Sequence, residues 1–123
     1  ARAGADSAYP WGDMISPDQV RCDACGNRKT RSEIVGQFPA NEFGLHDVAG
    51  GVWEWVADCW LPEYSGAPSD GSAWMDAGDC DLRVARGGSI ENGPNELRSA
   101  FRTASSPVKR GSFVGFRVAR DLK

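Results

Sequence analysis

A chain of 123 residues and 13.2 kDa has room for one ordinary hydrophobic core, so residues 1–123 are read as a single domain. A formal net charge of −3 and a pI near 5.1 supply no basic field for nucleic acid, and no apolar run approaches the ~20 residues that span a bilayer. Leu, Ile, Val and Phe number only 22, but five Trp add large buried areas, and 15 Gly with 7 Pro point to turns and short strands.

In chain order, Tyr9-Pro10-Trp11-Gly12-Asp13 reads as a rigid aromatic turn. Residues 34–38 (Ile-Val-Gly-Gln-Phe) predict a short strand that Pro39 stops. A tight turn at Gly50-Gly51 leads into a strand over 52–60, whose imperfect alternation predicts a bulge. Residues 61–81 form a long Gly/Pro/Ser/Asp loop. Three further strands are predicted at 83–86, 97–102 and 115–120, separated by loops at 89–96 and 103–114. In the last strand Phe116 and Val118 are expected to share an apolar face.

Charge is segregated: residues 1–82 carry 5 basic and 14 acidic side chains, and residues 83–123 carry 9 and 3. The two halves are expected to fold against each other, with a basic surface for an anionic ligand as the alternative.

Four ordered motifs carry a family likeness. They are Phe43-Gly44-Leu45-His46-Asp47-Val48-Ala49-Gly50-Gly51-Val52-Trp53-Glu54-Trp55, Arg86-Gly87-Gly88-Ser89, Arg98-Ser99-Ala100-Phe101-Arg102 and Gly115-Phe116-Arg117-Val118-Ala119-Arg120. Together they resemble the formylglycine-generating enzyme, or sulfatase-modifying-factor, family. The resemblance implies an irregular α+β fold related to C-type lectins, with short strands, long loops and little helix. It also implies that these residues correspond to the C-terminal half of a family domain.

Catalytic members hold copper on two cysteines between the Gly-Gly-Ser motif and the Arg-rich segment, and soft thiolates suit Cu(I). Here residues 90–97 (Ile-Glu-Asn-Gly-Pro-Asn-Glu-Leu) contain no Cys, His or Met, so no copper is expected. His46 stands at a usual Tyr position and is read as a packed side chain. The turn at Gly51, Val52 and Glu54 resembles a structural calcium loop, with Gly51 replacing an Asn ligand. The turn is expected either to bind Ca2+ or to give Glu54 an arginine partner.

The four cysteines, Cys22, Cys25, Cys59 and Cys80, admit a zinc site, a redox pair, two disulfides or simple free thiols. A Cys59–Cys80 bridge closing the long loop is the preferred reading, with Cys22 and Cys25 close together, and it favours an oxidising compartment. Arg98, Arg102 and Arg117 are expected to pair with acids such as Asp47 or Asp58.

The resulting functional expectation is a non-catalytic module of the family that binds a protein or small-molecule ligand through its C-terminal loops. The residues singled out are Glu91, Asn92, Asn95, Thr103, Ser105, Lys109, Arg110 and Phe113, small polar groups with an occasional aromatic. The alternatives are the C-terminal part of a formylglycine-generating-type oxidoreductase and a purely structural interaction domain. Uncovered apolar surface at Trp11, Trp53 or Trp55 would favour self-association.

Overall fold

The structure, a computed structural model, describes residues 3–26 and 34–120. Its frame is a four-stranded mixed sheet in the order β3-β2-β1-β4, formed by β1 (Trp53–Trp60), β2 (Asp79–Arg86), β3 (Thr103–Ser105) and β4 (Val114–Phe116). β1 is rich in Trp and Val, which fit a half-buried pleated surface. It pairs antiparallel with β2 and parallel with β4, while β3 lies antiparallel on the far side of β2. The expected bulge is present: register slips between Trp55 and Cys59 and again between Cys59 and Trp60. β2 begins four residues before the predicted strand, because the Cys59–Cys80 disulfide holds Asp79 opposite Trp60. Apart from a 3₁₀ turn at Pro94–Leu97, the rest of the described chain is turns and irregular loops.

Three strand expectations are corrected. Residues 34–38 form no strand: Gly36 turns at φ +79°, and its N–H donates to Asp47 Oδ2 at 2.6 Å instead of to a sheet neighbour. Residues 97–102 form none either. Pro94, at the start of the 3₁₀ turn, and a turn closed by Phe101 N–H to Arg98 O at 2.9 Å occupy this stretch. Extended pairing starts at Thr103, inside the predicted loop, where β2 offers a free edge. The last strand is short and is not two-faced, since Phe116 and Val118 are 77% and 81% exposed.

The main core packs Tyr9, Val20, Cys22, Cys25, Ala49 and Leu97, with Ala8, Trp11 and Ile15 against it. The aromatic turn closes through reciprocal Tyr9–Gly12 backbone bonds of 3.0 and 3.3 Å, and the Tyr9 and Trp11 rings stack at 5.6 Å. Tyr9 Oη reaches across to donate to Pro94 O at 3.0 Å, tying the N-terminal segment to the 3₁₀ turn. Trp11, Trp53 and Trp55 are half-buried. The uncovered apolar surface lies elsewhere, at Ile34 (80% exposed), Val35 (84%), Phe43 and Phe116. The tryptophans were the expected place for it, but they are half-covered: Trp11 stacks on Tyr9, and Trp53 packs on Phe101 at 6.0 Å.

Candidate functional site

Residues 47–54 bend the chain into β1 through three left-handed steps: Asp47, Gly50 and Gly51 all have positive φ. Gly50 N–H donates to Gly87 O at 2.8 Å, and Ile90 N–H donates to Gly51 O at 3.1 Å, so the turn is stitched to the Arg86-Gly87-Gly88-Ser89 motif. At its end stands Glu54. Arg117, one residue beyond β4, donates from Nε to both Glu54 oxygens at 3.2 and 3.1 Å and from Nη2 to Oε1 at 2.7 Å. The same Nη2 also donates to His46 O at 2.9 Å and Asp47 O at 3.4 Å. The hydrogen bonds that Arg117 donates to Glu54, acting against partial burial, hold its guanidinium above its ordinary pKa.

One guanidinium thus gathers a carboxylate and two carbonyls, the hard oxygen donors that a divalent cation would seek. Gly51 offers no side chain, and its carbonyl is already used by Ile90. As arranged, these residues do not fit a calcium ion. Expected to pair with an arginine, Asp47 instead spends its carboxylate on Gly36 N–H. The expectation of a packed His46 is corrected as well: the ring is exposed, with Nδ1 2.7 Å from Phe38 O. A recess of about 560 Å³ opens beside this centre, walled by Ile34, Val35, Leu45, Val52, Ile90 and Phe116.

The segment that follows the Gly-Gly-Ser motif is built for rigidity. Asn92 Oδ1 accepts from Ser89 N at 2.9 Å and Ser89 Oγ at 2.7 Å, while Asn92 O accepts from Asp23 N at 2.9 Å. Asn95 O accepts from Arg98 Nε at 3.2 Å, so Arg98 holds a carbonyl rather than an acid. Only Glu91 and the Asn95 side chain face solvent here. All four cysteines are bridged, Cys22 to Cys25 and Cys59 to Cys80, which replaces the zinc and free-thiol alternatives.

The remaining singled-out residues follow the sheet. Thr103 and Ser105 sit on edge strand β3, and Phe113 O accepts from Trp53 N at 2.8 Å at the opposite edge. The loop carrying exposed Lys109 and Arg110 runs between those edges. The eight residues are therefore divided between the Asn92 turn and the 3₁₀ turn after it, both sheet edges and the crossing loop.

Under that loop lies a second recess of about 320 Å³. It is lined by Trp55, Val56 and Ala57 of β1, Arg83 of β2, Pro107, and Met75 from the loop that the disulfide closes. Arg83 Nη1 donates to Ala57 O at 2.7 Å and to Cys59 Sγ at 3.4 Å, which fixes the floor. Nearby, Arg102 lies over the Tyr64 ring at 3.9 Å and the Trp60 ring at 5.2 Å and donates to Leu61 O at 2.9 Å. Arg86 Nη2 donates to Tyr64 Oη. Asp58 caps Trp74 N at 2.8 Å. Arg102 and Arg86 anchor the 61–78 loop through carbonyls, rings and the Tyr64 hydroxyl, and for Arg102 an acid had been expected. Sequence reasoning passed over Met75 and Pro107, which look like ordinary loop residues.

With this sheet, the stitched double-glycine turn and the Glu54–Arg117 clasp, the chain is of the sulfatase-modifying-factor class. The profile of the FGE-sulfatase family, described as a sulfatase-modifying factor enzyme 1-like domain, matches residues 1–122, and the chain belongs to that family. It is 35% identical to a formylglycine-generating enzyme of Thermomonospora curvata, covering 98% of this chain and 46% of that enzyme. A hercynine oxygenase of Mycolicibacterium smegmatis is 32% identical, over 98% of this chain and 29% of its own length. The solved structure of PvdO from Pseudomonas aeruginosa superposes with a TM-score of 0.88 at 40% identity, covering 99% of this chain and 48% of that one. The chain thus spans about half the length, or less, of these relatives.

Proposed function

We propose that this chain is a non-catalytic member of the family that binds a protein or small ligand at the recess beneath its C-terminal loop. The observation that carries this reading is the placement of the cysteines. Residues 90–97 hold no soft ligand, and all four thiols of the chain are consumed in disulfides remote from that segment in sequence. A thiolate pair for Cu(I) is what the resemblance implies for cysteine oxidation by formylglycine-generating members, and these residues do not fit one. Met75, Pro107 and Trp55 supply an apolar surface with Arg83 beside it, and exposed Lys109 and Arg110 follow Pro107 along the same loop. That combination suits an apolar ligand bearing negative charge.

Titration with Cu(I) and incubation with a cysteine-containing sulfatase peptide is expected to give neither stoichiometric copper binding nor peptide oxidation. Copper-dependent turnover would overturn the reading. A second reading, the C-terminal part of an oxidoreductase, draws on the 35% identity to a formylglycine-generating enzyme across 98% of the chain. Peptide oxidation would establish it.

We infer further that Arg117 performs the bridging role of a cation, joining Glu54 at the end of the turn to the His46 and Asp47 carbonyls at its start. Arg117→Gln removes the Glu54 ion pair and two carbonyl contacts at a half-exposed site, with an expected cost of about 2 kcal/mol. Millimolar calcium or a chelator is expected to leave the wild-type melting temperature unchanged in calorimetry. A calcium-dependent rise of several degrees would show a metal site there instead.

A further inference from the structure

The base of the 61–78 loop holds two sulfurs in opposite surroundings. Cys80 is exposed near the start of β2, whereas Cys59 is buried in β1 at 1% exposure. Arg83 Nη1, fixed by its 2.7 Å bond to Ala57 O, lies 3.4 Å from Cys59 Sγ. Met75 O lies 3.3 Å from Cys59 Sγ and 3.5 Å from Cys80 Sγ. The other bridge lacks this asymmetry, since Cys22 and Cys25 are both buried, at 1% and 4%.

In thiol–disulfide exchange a thiolate attacks one sulfur while the other departs as a thiolate. Access decides which sulfur is attacked, and here it selects Cys80. A guanidinium beside Cys59 stabilises the thiolate that departs. We propose that the Cys59–Cys80 bridge is a thiol-modification site. An incoming thiolate bonds to Cys80 Sγ, the bond between the two cysteine sulfurs breaks, and Cys59 leaves as a thiolate facing Arg83. One disulfide forms for each one broken, so the step needs no further oxidant or reductant. Proton uptake from water then gives a Cys59 thiol whose S–H is placed to donate weakly to Met75 O. Return attack by Cys59 on the mixed disulfide expels the added thiol, so the modification is reversible.

Charge around Cys80 selects the reagent. Asp79 and Asp81 flank it and are tied together, with Asp79 Oδ1 accepting from Asp81 N at 2.9 Å. Residues 61–81 carry Glu63, Asp70, Asp76, Asp79 and Asp81 but no Lys or Arg. That field repels a carboxylate-bearing thiol and draws a cationic one. The reagent class is therefore a small aminothiol. Its attack frees the loop at its base, whatever the neighbouring recess binds.

The test treats the oxidised chain with cysteamine, 2-mercaptoethanol or 3-mercaptopropionate. Each rate is taken per thiolate and normalised to the same thiol's rate on bis(2-hydroxyethyl) disulfide. After an early quench with N-ethylmaleimide, mass spectrometry is expected to find the mixed disulfide on Cys80, the maleimide on Cys59, and Cys22–Cys25 still closed. Cysteamine is expected to react about tenfold faster than 3-mercaptopropionate at low salt, with 2-mercaptoethanol between them and the gap narrowing in about 0.5 M salt. Arg83→Gln is expected to slow opening by cysteamine about tenfold, and Arg83→Lys to recover part of that rate. Were Arg83 only a prop for the loop, its removal would speed opening instead. An adduct on Cys59, both bridges opening together, equal rates for the cationic and anionic thiols, or opening unchanged or faster in Arg83→Gln would overturn the proposal.

Discussion

Gly50→Ala is expected to lower stability by about 4 kcal/mol, enough to leave a domain of ordinary stability barely folded. Two effects act together. Gly50 sits at φ +76°, a left-handed conformation that costs an L side chain ~1 kcal/mol or more. An added Cβ would also overlap the Arg21 carbonyl oxygen and come within 2.6 Å of Val20 Cγ2. Val20 is fully buried and the carbonyl belongs to the backbone, so neither neighbour can yield cheaply. The turn would be pushed off the N-terminal core, and with it the Gly50–Gly87 bond that sets the start of β1. Denaturant unfolding would show the loss. Gly51→Ala provides the contrast: its φ is also positive, at +73°, but nothing lies within 4 Å of the added carbon. Its expected cost is backbone strain alone, about 1 kcal/mol. Equal losses for the two variants would contradict the close-approach argument.

Removing the Cys59–Cys80 bridge with paired serines is expected to cost about 3 kcal/mol and roughly 10 °C in melting temperature. The bridge spans a sequence separation of 21, and the chain between has few other anchors. Cys59 N–H donates to Trp74 O at 2.8 Å, Asp58 caps Trp74 N, and Arg102 stacks on Tyr64. The Asp70 carboxylate, held below its ordinary pKa by hydrogen bonds from the Ser72 hydroxyl and then its backbone N–H, organises only the exposed tip. Met75 would lose its fixed place in the 320 Å³ recess, so amide exchange over the loop is expected to rise as stability falls. Calorimetry on the paired-serine variant, with hydrogen exchange over residues 61–78, measures both effects. A variant that melts within ~2 °C of wild type would show that the loop is held by its side chains alone.

Several features of this protein were decided by its sequence alone. The ordered motifs specify the family because they carry local requirements: glycines where the backbone must turn left-handed, and Trp and Val where a half-buried strand runs. Apart from the motifs, a cysteine stands at each end of a loop too polar to hold itself. The Cys59–Cys80 bridge and the bulged β1 were legible for that reason. So was the lack of a thiolate pair in residues 90–97, which is a matter of composition. Other features depended on contacts between distant segments. Whether 97–102 or 103–105 formed the third strand depended on which stretch could reach the free edge of β2, and Pro94 with the turn at Arg98 spent the earlier residues. Sequence could offer Glu54 an arginine but could not choose among Arg98, Arg102 and Arg117. The parallel pairing of β4 with β1 brings Arg117 to Glu54, while Arg98 and Arg102 are used by carbonyls and aromatic rings. The edge position of β4 was likewise invisible, because strand periodicity reports which way side chains alternate and not whether a neighbour lies alongside.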